Sequence, residues 1–129
     1  MSAKAFVDAN VLVYAHDIDE RSKRAVARKV LRDLWNDGTG VVSPQVLQEF
    51  YVNVTRKIVV PISRQAARQV VGAYALWCTD VTSSDVAAAF RIEDEAAAKS
   101  GAAKLLTEDL NPDQIVAGVM IENPFAIAL

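Results

Sequence analysis

Three carboxylates in this chain stand where a carboxylate needs a partner. Asp8 ends the apolar run Ala5-Phe6-Val7 and opens the stretch Asp8-Ala9-Asn10-Val11-Leu12-Val13-Tyr14. Asp109 follows a second apolar run, Leu105-Leu106-Thr107. Glu49 lies inside an amphipathic helical pattern, Ser43-Pro44-Gln45-Val46-Leu47-Gln48-Glu49-Phe50-Tyr51. Ionised carboxylates are rarely buried unless they are paired or hold a cation. Together the three suggest a hard-cation site for Mg²⁺ or Mn²⁺, ions that take oxygen ligands and use one or two carboxylates each. Such ions serve phosphoester cleavage, activating a water and stabilising the leaving oxygen. Asn10 and Thr107 could orient the carboxylates by hydrogen bonds. Each acid also has a plain structural reading. Asp8 could be the N-cap of the helix after it, Asp109 could cap the turn at Asn111-Pro112, and Glu49 could be an exposed helix residue.

The elements that must position these residues follow from periodicity. Residues 4–7 read as a buried strand, without alternation, and 10–16 as a short helix. Residues 17–20 form a polar loop. Residues 21–36 form an amphipathic helix with Val26, Val30, Leu31 and Leu34 as its buried stripe. Arg21, Arg24, Arg28 and Arg32 form a basic stripe assigned to the opposite side. Asp37-Gly38-Thr39-Gly40 ends that helix. Val41-Val42 is a short strand. Ser43 as N-cap and Pro44 at the first position then start a helix to about residue 57. Its apolar face is Val46, Leu47, Phe50, Tyr51 and Val54, with Glu49, Asn53 and Arg56 just beside it. Residues 59–62 connect to a helix capped by Ser63 and spanning about 64–77. A weak strand at 80–82, a helix from about 85 to 100 capped by Ser84, and strands at 104–107 and 118–121 complete the chain. The alternation of strand and helix predicts a three-layer α/β/α sandwich with a mainly parallel sheet, a single domain over residues 1–129. Asp8 and Asp109 both follow their strands, so one edge of the sheet, where such folds bind ligands, would carry both.

Composition narrows the function classes. The 129 residues suit one domain, and 52% hydrophobic residues supply a core. The net charge of −2 gives no global basic field, so any nucleic-acid contact must be local. The basic stripe, Arg24 and Arg28 included, could touch phosphates or be a solvated face. Arg56 is the better candidate for RNA or partner contact, because it lies beside Glu49. The single cysteine, Cys78, excludes an internal disulfide, fits a reducing cytosol, and reads as a buried or half-buried thiol without a role. The single histidine, His16, reads as a surface or helix-end residue, since no partner cluster exists. Trp35 and Trp77 read as core or interface residues. No run approaches the ~20 apolar residues of a membrane span, and no signal peptide precedes Asp8. The reading is a soluble, cytoplasmic protein.

Four segments then converge on a known pattern. They are residues 6–14, residues 43–57, Leu105-Leu106-Thr107-Glu108-Asp109-Leu110 and Asn123-Pro124-Phe125. In that order they resemble the PIN-domain family, more narrowly the VapC-type toxins of bacterial toxin–antitoxin pairs, from about Ala5 to Phe125. The resemblance implies a Mg²⁺- or Mn²⁺-dependent endoribonuclease with an acidic pocket. It implies an RNA substrate, a small cognate antitoxin bound over the pocket, and a homodimer. Carried over by motif, Asp8, Glu49 and Asp109 are catalytic metal ligands and Asn10 supports the first. There are two departures. Ala9 stands where the family usually has a hydroxyl residue. The aromatic-Asp-Ala motif that normally supplies another acid is absent from residues 90–101, Phe90-Arg91-Ile92-Glu93-Asp94-Glu95-Ala96-Ala97-Ala98-Lys99-Ser100-Gly101. A break in the chain between about Glu93 and Lys99 would explain the missing piece.

The leading reading is therefore a metal-dependent ribonuclease toxin. The alternative is a catalytically impaired PIN domain that binds an antitoxin or RNA without cleavage. A receiver domain of the response-regulator kind also carries acids at strand ends. It is disfavoured because adjacent paired acids and a late Lys do not occur in the right order.

Overall fold

A computed structural model describes residues 4–78, 104–108, 115–116 and 119–126. The expected strand at 80–82, the helix at 85–100, the window 93–99 and Asp109 lie outside the described residues. The strands are β1 (Ala5–Val7), β2 (Gly40–Val41), β3 (Lys104–Leu106), β4 (Ile115–Val116) and β5 (Val119–Glu122). They form one sheet in the order β2-β1-β3-β5-β4. All neighbours pair parallel except β4, which turns back antiparallel on β5. This is the α/β architecture with a mainly parallel sheet that the alternation predicts. The β4–β5 hairpin is an addition, because two residues are too few to leave a periodic signal.

The central strands carry the core. Phe6, Val7 and Leu105 are fully buried, as are Leu12 and Val11 of α1 (Ala9–His16) and Phe50 of α3 (Pro44–Val52). Burying each such side chain stabilises the fold by ~1.5–3 kcal/mol. Helix α1 packs on both α2 (Arg21–Asp37) and α3, and α4 (Arg64–Tyr74) packs on α3. Caps fix where the helices begin. Ser43 Oγ accepts from Val46 N at 3.2 Å, and Ser63 Oγ accepts from Ala66 N at 3.1 Å. Gly38 ends α2 in the left-handed region at φ 69°, where a side chain would be strained. Gly40 admits the Trp77 ring, since a Cβ there would stand 2.7 Å from it. That contact ties β2 to the short 3₁₀ turn Ala75–Trp77, and Val42 then bridges Cys78 in parallel.

Two local expectations need correction. The helix that begins at Pro44 is regular only to Val52 and continues as a wider π turn over Asn53–Lys57. Asn53 and Thr55 turn their side chains back onto the helix's own carbonyls, at Glu49 and Tyr51. Such back-bonding bends helices. The second correction concerns α2, whose fully buried residues are Ala27 and Leu31, with Val30 and Leu34 packed beside them. Arg24 and Arg28 border this buried stripe instead of opposing it. Arg24 and Leu31 are seven residues apart, close to two turns at ~3.6 residues per turn, so they share a face.

Candidate acidic pocket at the sheet edge

Asp8 sits at the carboxyl end of β1 with only 2% of its surface exposed. Its backbone N–H donates to the Leu106 carbonyl at 3.0 Å, which joins it to the end of β3. Its Oδ1 accepts from Ala9 N at 2.6 Å, so the capping role is real. Its Oδ2 accepts from Thr107 Oγ1 at 2.7 Å and from Asn10 Nδ2 at 3.3 Å. Asn10 Nδ2 also donates to Thr107 Oγ1 at 3.1 Å. The carboxylate is thus held by a closed triangle of neutral donors. A carboxylate has about four lone-pair sites, and these three donors leave one over.

That remaining capacity matters because Asp8 also lines a cavity of about 280 Å³. Glu49 lines the same cavity, with Asn10, Asn53 and Tyr14. Glu49 reaches it from α3, where Gln45 Nε2 donates to its Oε1 at 3.4 Å. The π turn adds Asn53, whose Nδ2 donates to the Glu49 carbonyl at 2.8 Å. Asp8 and Glu49 thus line one cavity, and Asn10 and Thr107 both hydrogen-bond the Asp8 carboxylate. Asp109 lies outside the described residues. Among the described residues no group of three His, Cys, Asp or Glu side chains converges. The pocket's polar donors are carboxylate and amide oxygens, which suit a hard divalent cation and not a soft one.

The rim holds a cluster that sequence reasoning missed. Tyr14 Oη donates to Glu108, and Lys23 Nζ donates to Tyr14 Oη at 3.2 Å and to Glu108 Oε2 at 3.1 Å. Lys23 lies over the Tyr14 ring at 4.6 Å, and Phe125 meets the same ring edge-on at 5.1 Å. Burial first, and then the Glu108 hydrogen bond, raise the Tyr14 pKa. The hydrogen bond with Tyr14, then that with Glu108, raises that of Lys23. Only the step from an apolar Tyr14 face to an acid after β3 could have signalled it, and that needs the fold.

The basic residues divide. Arg56 is exposed and does not line the acidic pocket. Arg28 Nε donates to the Ala15 carbonyl at 2.8 Å, so it leans over α1. His16 ends α1, as one of its two sequence readings has it, but it is half-buried and has ring partners instead of standing on the surface. Its Nε2 lies 3.1 Å from Tyr74 Oη, and its ring meets those of Phe50 and Tyr74 edge-on. The reason is that the end of α1 is covered by α3 and α4. Trp77 is buried, whereas Trp35, in ring contact with it at 5.4 Å, keeps 45% of its surface exposed. Cys78 is half-buried, and burial pushes its thiol pKa up. Among the described residues no helix is long and apolar enough to cross a membrane.

The family model described as PIN domain matches residues 5–118 of the chain. No curated protein matches the chain.

Proposed function

The chain belongs to the PIN-domain family, and from that premise we propose that it is a Mg²⁺- or Mn²⁺-dependent endoribonuclease, the toxin of a VapC-type toxin–antitoxin pair. The PIN fold is a nuclease fold, and PIN nucleases generally use divalent metals. The observation that carries the proposal is the meeting of Asp8 and Glu49 on one cavity, with Asp8 braced by Thr107 and Asn10. In this reading Asp8, Glu49 and Asp109 hold the cation. When bound, the cation supplies positive charge against phosphate oxygens and makes a water easier to deprotonate. Thr107 and Asn10 keep the Asp8 carboxylate in one orientation, so that no reorganisation is needed when substrate arrives. Asn53 and Gln45 fix the Glu49 backbone and side chain. Arg56, Arg24 and Arg28 contribute to RNA or partner contact from outside the pocket. The antitoxin binds over the acidic pocket in this reading, and an apolar groove of about 370 Å³ between α3 and α4, lined by Leu47, Tyr51, Val52 and Val71 with Arg68 and Gln48, offers it a second seat. Grooves of this kind receive amphipathic helices. A cytoplasmic homodimer completes the proposal.

Asp8→Asn keeps the shape of the side chain and removes its charge. Ribonuclease activity in Mg²⁺ or Mn²⁺ and growth inhibition should both fall by more than ~100-fold, with an unchanged circular dichroism spectrum. Glu49→Gln should act in the same direction. Cleavage by Asp8→Asn near the wild-type rate would remove the site assignment. One sequence observation favours the non-cleaving alternative, the absence of an aromatic-Asp-Ala motif from residues 90–101. Retarded RNA in a gel shift, with no cleavage by the wild-type protein in either metal, would establish that alternative.

A further inference from the structure

We propose that the cleft lined by His16, Arg28 and Tyr74 is a phosphate-binding site, separate from the acidic pocket. The cleft has a volume of about 200 Å³ and is closed by Ala15 and Leu31. That is smaller than the ~300–1,000 Å³ of ordinary organic-ligand pockets, and suits a phosphate group with its waters. It shares no lining residue with the acidic pocket. Asp8 caps one end of α1 and His16 closes the other, so the two sites stand at opposite ends of that helix.

The donors are set and lack an acceptor. Arg28 spends its Nε on the Ala15 carbonyl, which fixes the guanidinium against α1. Among the described residues no ion pair or further side-chain hydrogen bond engages its terminal amines. Arg24, one turn earlier on the same face, has a buried Nε without a hydrogen-bond partner. Arg24 does not line the cleft, but its charge reaches His16 and so adds to the field there. The Tyr74 hydroxyl lies 3.1 Å from His16 Nε2; with the ring proton on Nε2 the hydroxyl accepts there and keeps its own proton for an anion. Among the described residues no carboxylate lines the cleft. Arg28 in the lining, with Arg24 one turn away, makes a local positive field, and the planar fork of Arg matches phosphate oxygens in pairs. The same field bears on His16. Burial first, then the charges of Arg28 and Arg24, bring its pKa down to about 4.

Two sources could supply the group: a diester phosphate of an RNA strand or a free phosphate ion. The proposal uses no residue of the acidic pocket, so it stands or falls apart from the nuclease reading. His16 is the only histidine, so its ring signals in a ¹H–¹³C spectrum are assigned without further work. Inorganic phosphate, titrated against chloride at matched ionic strength in EDTA, should shift those signals saturably. It should also raise the His16 pKa by about one unit or more, since an anion favours the charged ring. Arg28→Gln should weaken the effect about tenfold or more, with Arg28→Lys intermediate. Arg32→Gln, an exposed position outside the cleft, should leave it unchanged. A short oligoribonucleotide with unphosphorylated ends forms the second arm. Shifts with the oligonucleotide name the RNA strand as the source, and shifts with inorganic phosphate alone name the free ion. No saturable shift with either ligand at tens of millimolar, on the order of the weakest useful affinities, overturns the proposal. So do equal shifts in Arg28→Gln and in the wild type.

Discussion

Protonation of His16 should destabilise the fold, and the size of the effect follows from its surroundings. In the unfolded chain the ring titrates near its ordinary value of 6.5, whereas in the fold burial and the charges of Arg28 and Arg24 bring it to about 4. The folded state therefore binds fewer protons than the unfolded state between those values. Stability is complete above about pH 6.5, falls as pH drops through that window, and stops falling below about pH 4. A full shift of this size would be worth ~3 kcal/mol at ~1.36 kcal/mol per pKa unit. The ring is only half-buried, so solvent screens the arginine charges in part, and ~1–2 kcal/mol is the expected loss. His16→Phe keeps an aromatic ring against Phe50 and Tyr74 and removes the titration. Urea unfolding of both proteins at pH 7.5, 6, 5 and 4.5 (about the span of the window), in buffers free of phosphate, isolates the term as their difference. Carboxylates titrate equally in the two and cancel. Parallel stability–pH curves would refute the reasoning, because a histidine facing two arginines must then protonate as easily folded as unfolded.

Thr107→Val is nearly isosteric, fully buried, and removes the 2.7 Å donor to Asp8 Oδ2. It should cost ~1.5–3 kcal/mol in chemical denaturation, the range for hydrogen bonds to charged groups. Thr107→Ser should recover most of it. Gly40→Ala drives a methyl to 2.7 Å from the Trp77 ring. It should lower stability by ~1–3 kcal/mol and disturb tryptophan fluorescence, whereas Gly72→Ala, with open space at its Cβ, should not lower it. Saturating Mg²⁺ or Mn²⁺ at ~100 times its dissociation constant should stabilise the wild type by ~2.7 kcal/mol over the EDTA state, and Asp8→Asn much less. Thermal melts in metal and in EDTA read both values.

The strands and caps were legible because each rests on local chemistry. The run into Asp8 reads as a strand because three consecutive buried residues cannot lie on a half-exposed sheet. Ser43-Pro44 and Ser63 mark helix starts because a hydroxyl at that point satisfies an otherwise orphaned amide. Local chemistry has no such mark for the π turn at Asn53–Lys57. That turn depends on which carbonyl a polar side chain chooses, and both choices lie within one turn of the helix.

The acidic pocket was legible for a different reason. Asp8 and Glu49 are far apart in sequence, and Glu49 alone reads as an ordinary helix residue; only the anomalous Asp8 at a strand end drew attention, and the fold sets both on one cavity. The brace on Asp8 shows how far such reasoning extends. Thr107 follows β3 by one residue, as Asp8 follows β1, and the parallel register of Val7 with Leu106 sets the two side by side. Any chain with these two strands paired in that register must bring the hydroxyl to the carboxylate. The His16 cleft has no counterpart of this kind. Its members come from α1, α2 and α4, and none is anomalous alone, since an arginine on a helix and a tyrosine near its end are ordinary residues. Only a count of turns shows that Arg24 and Arg28 flank the face of Leu31, Arg24 half-buried and Arg28 still exposed. A basic stripe becomes a candidate site, rather than a solvated face, when its own period places it on the edge of the core.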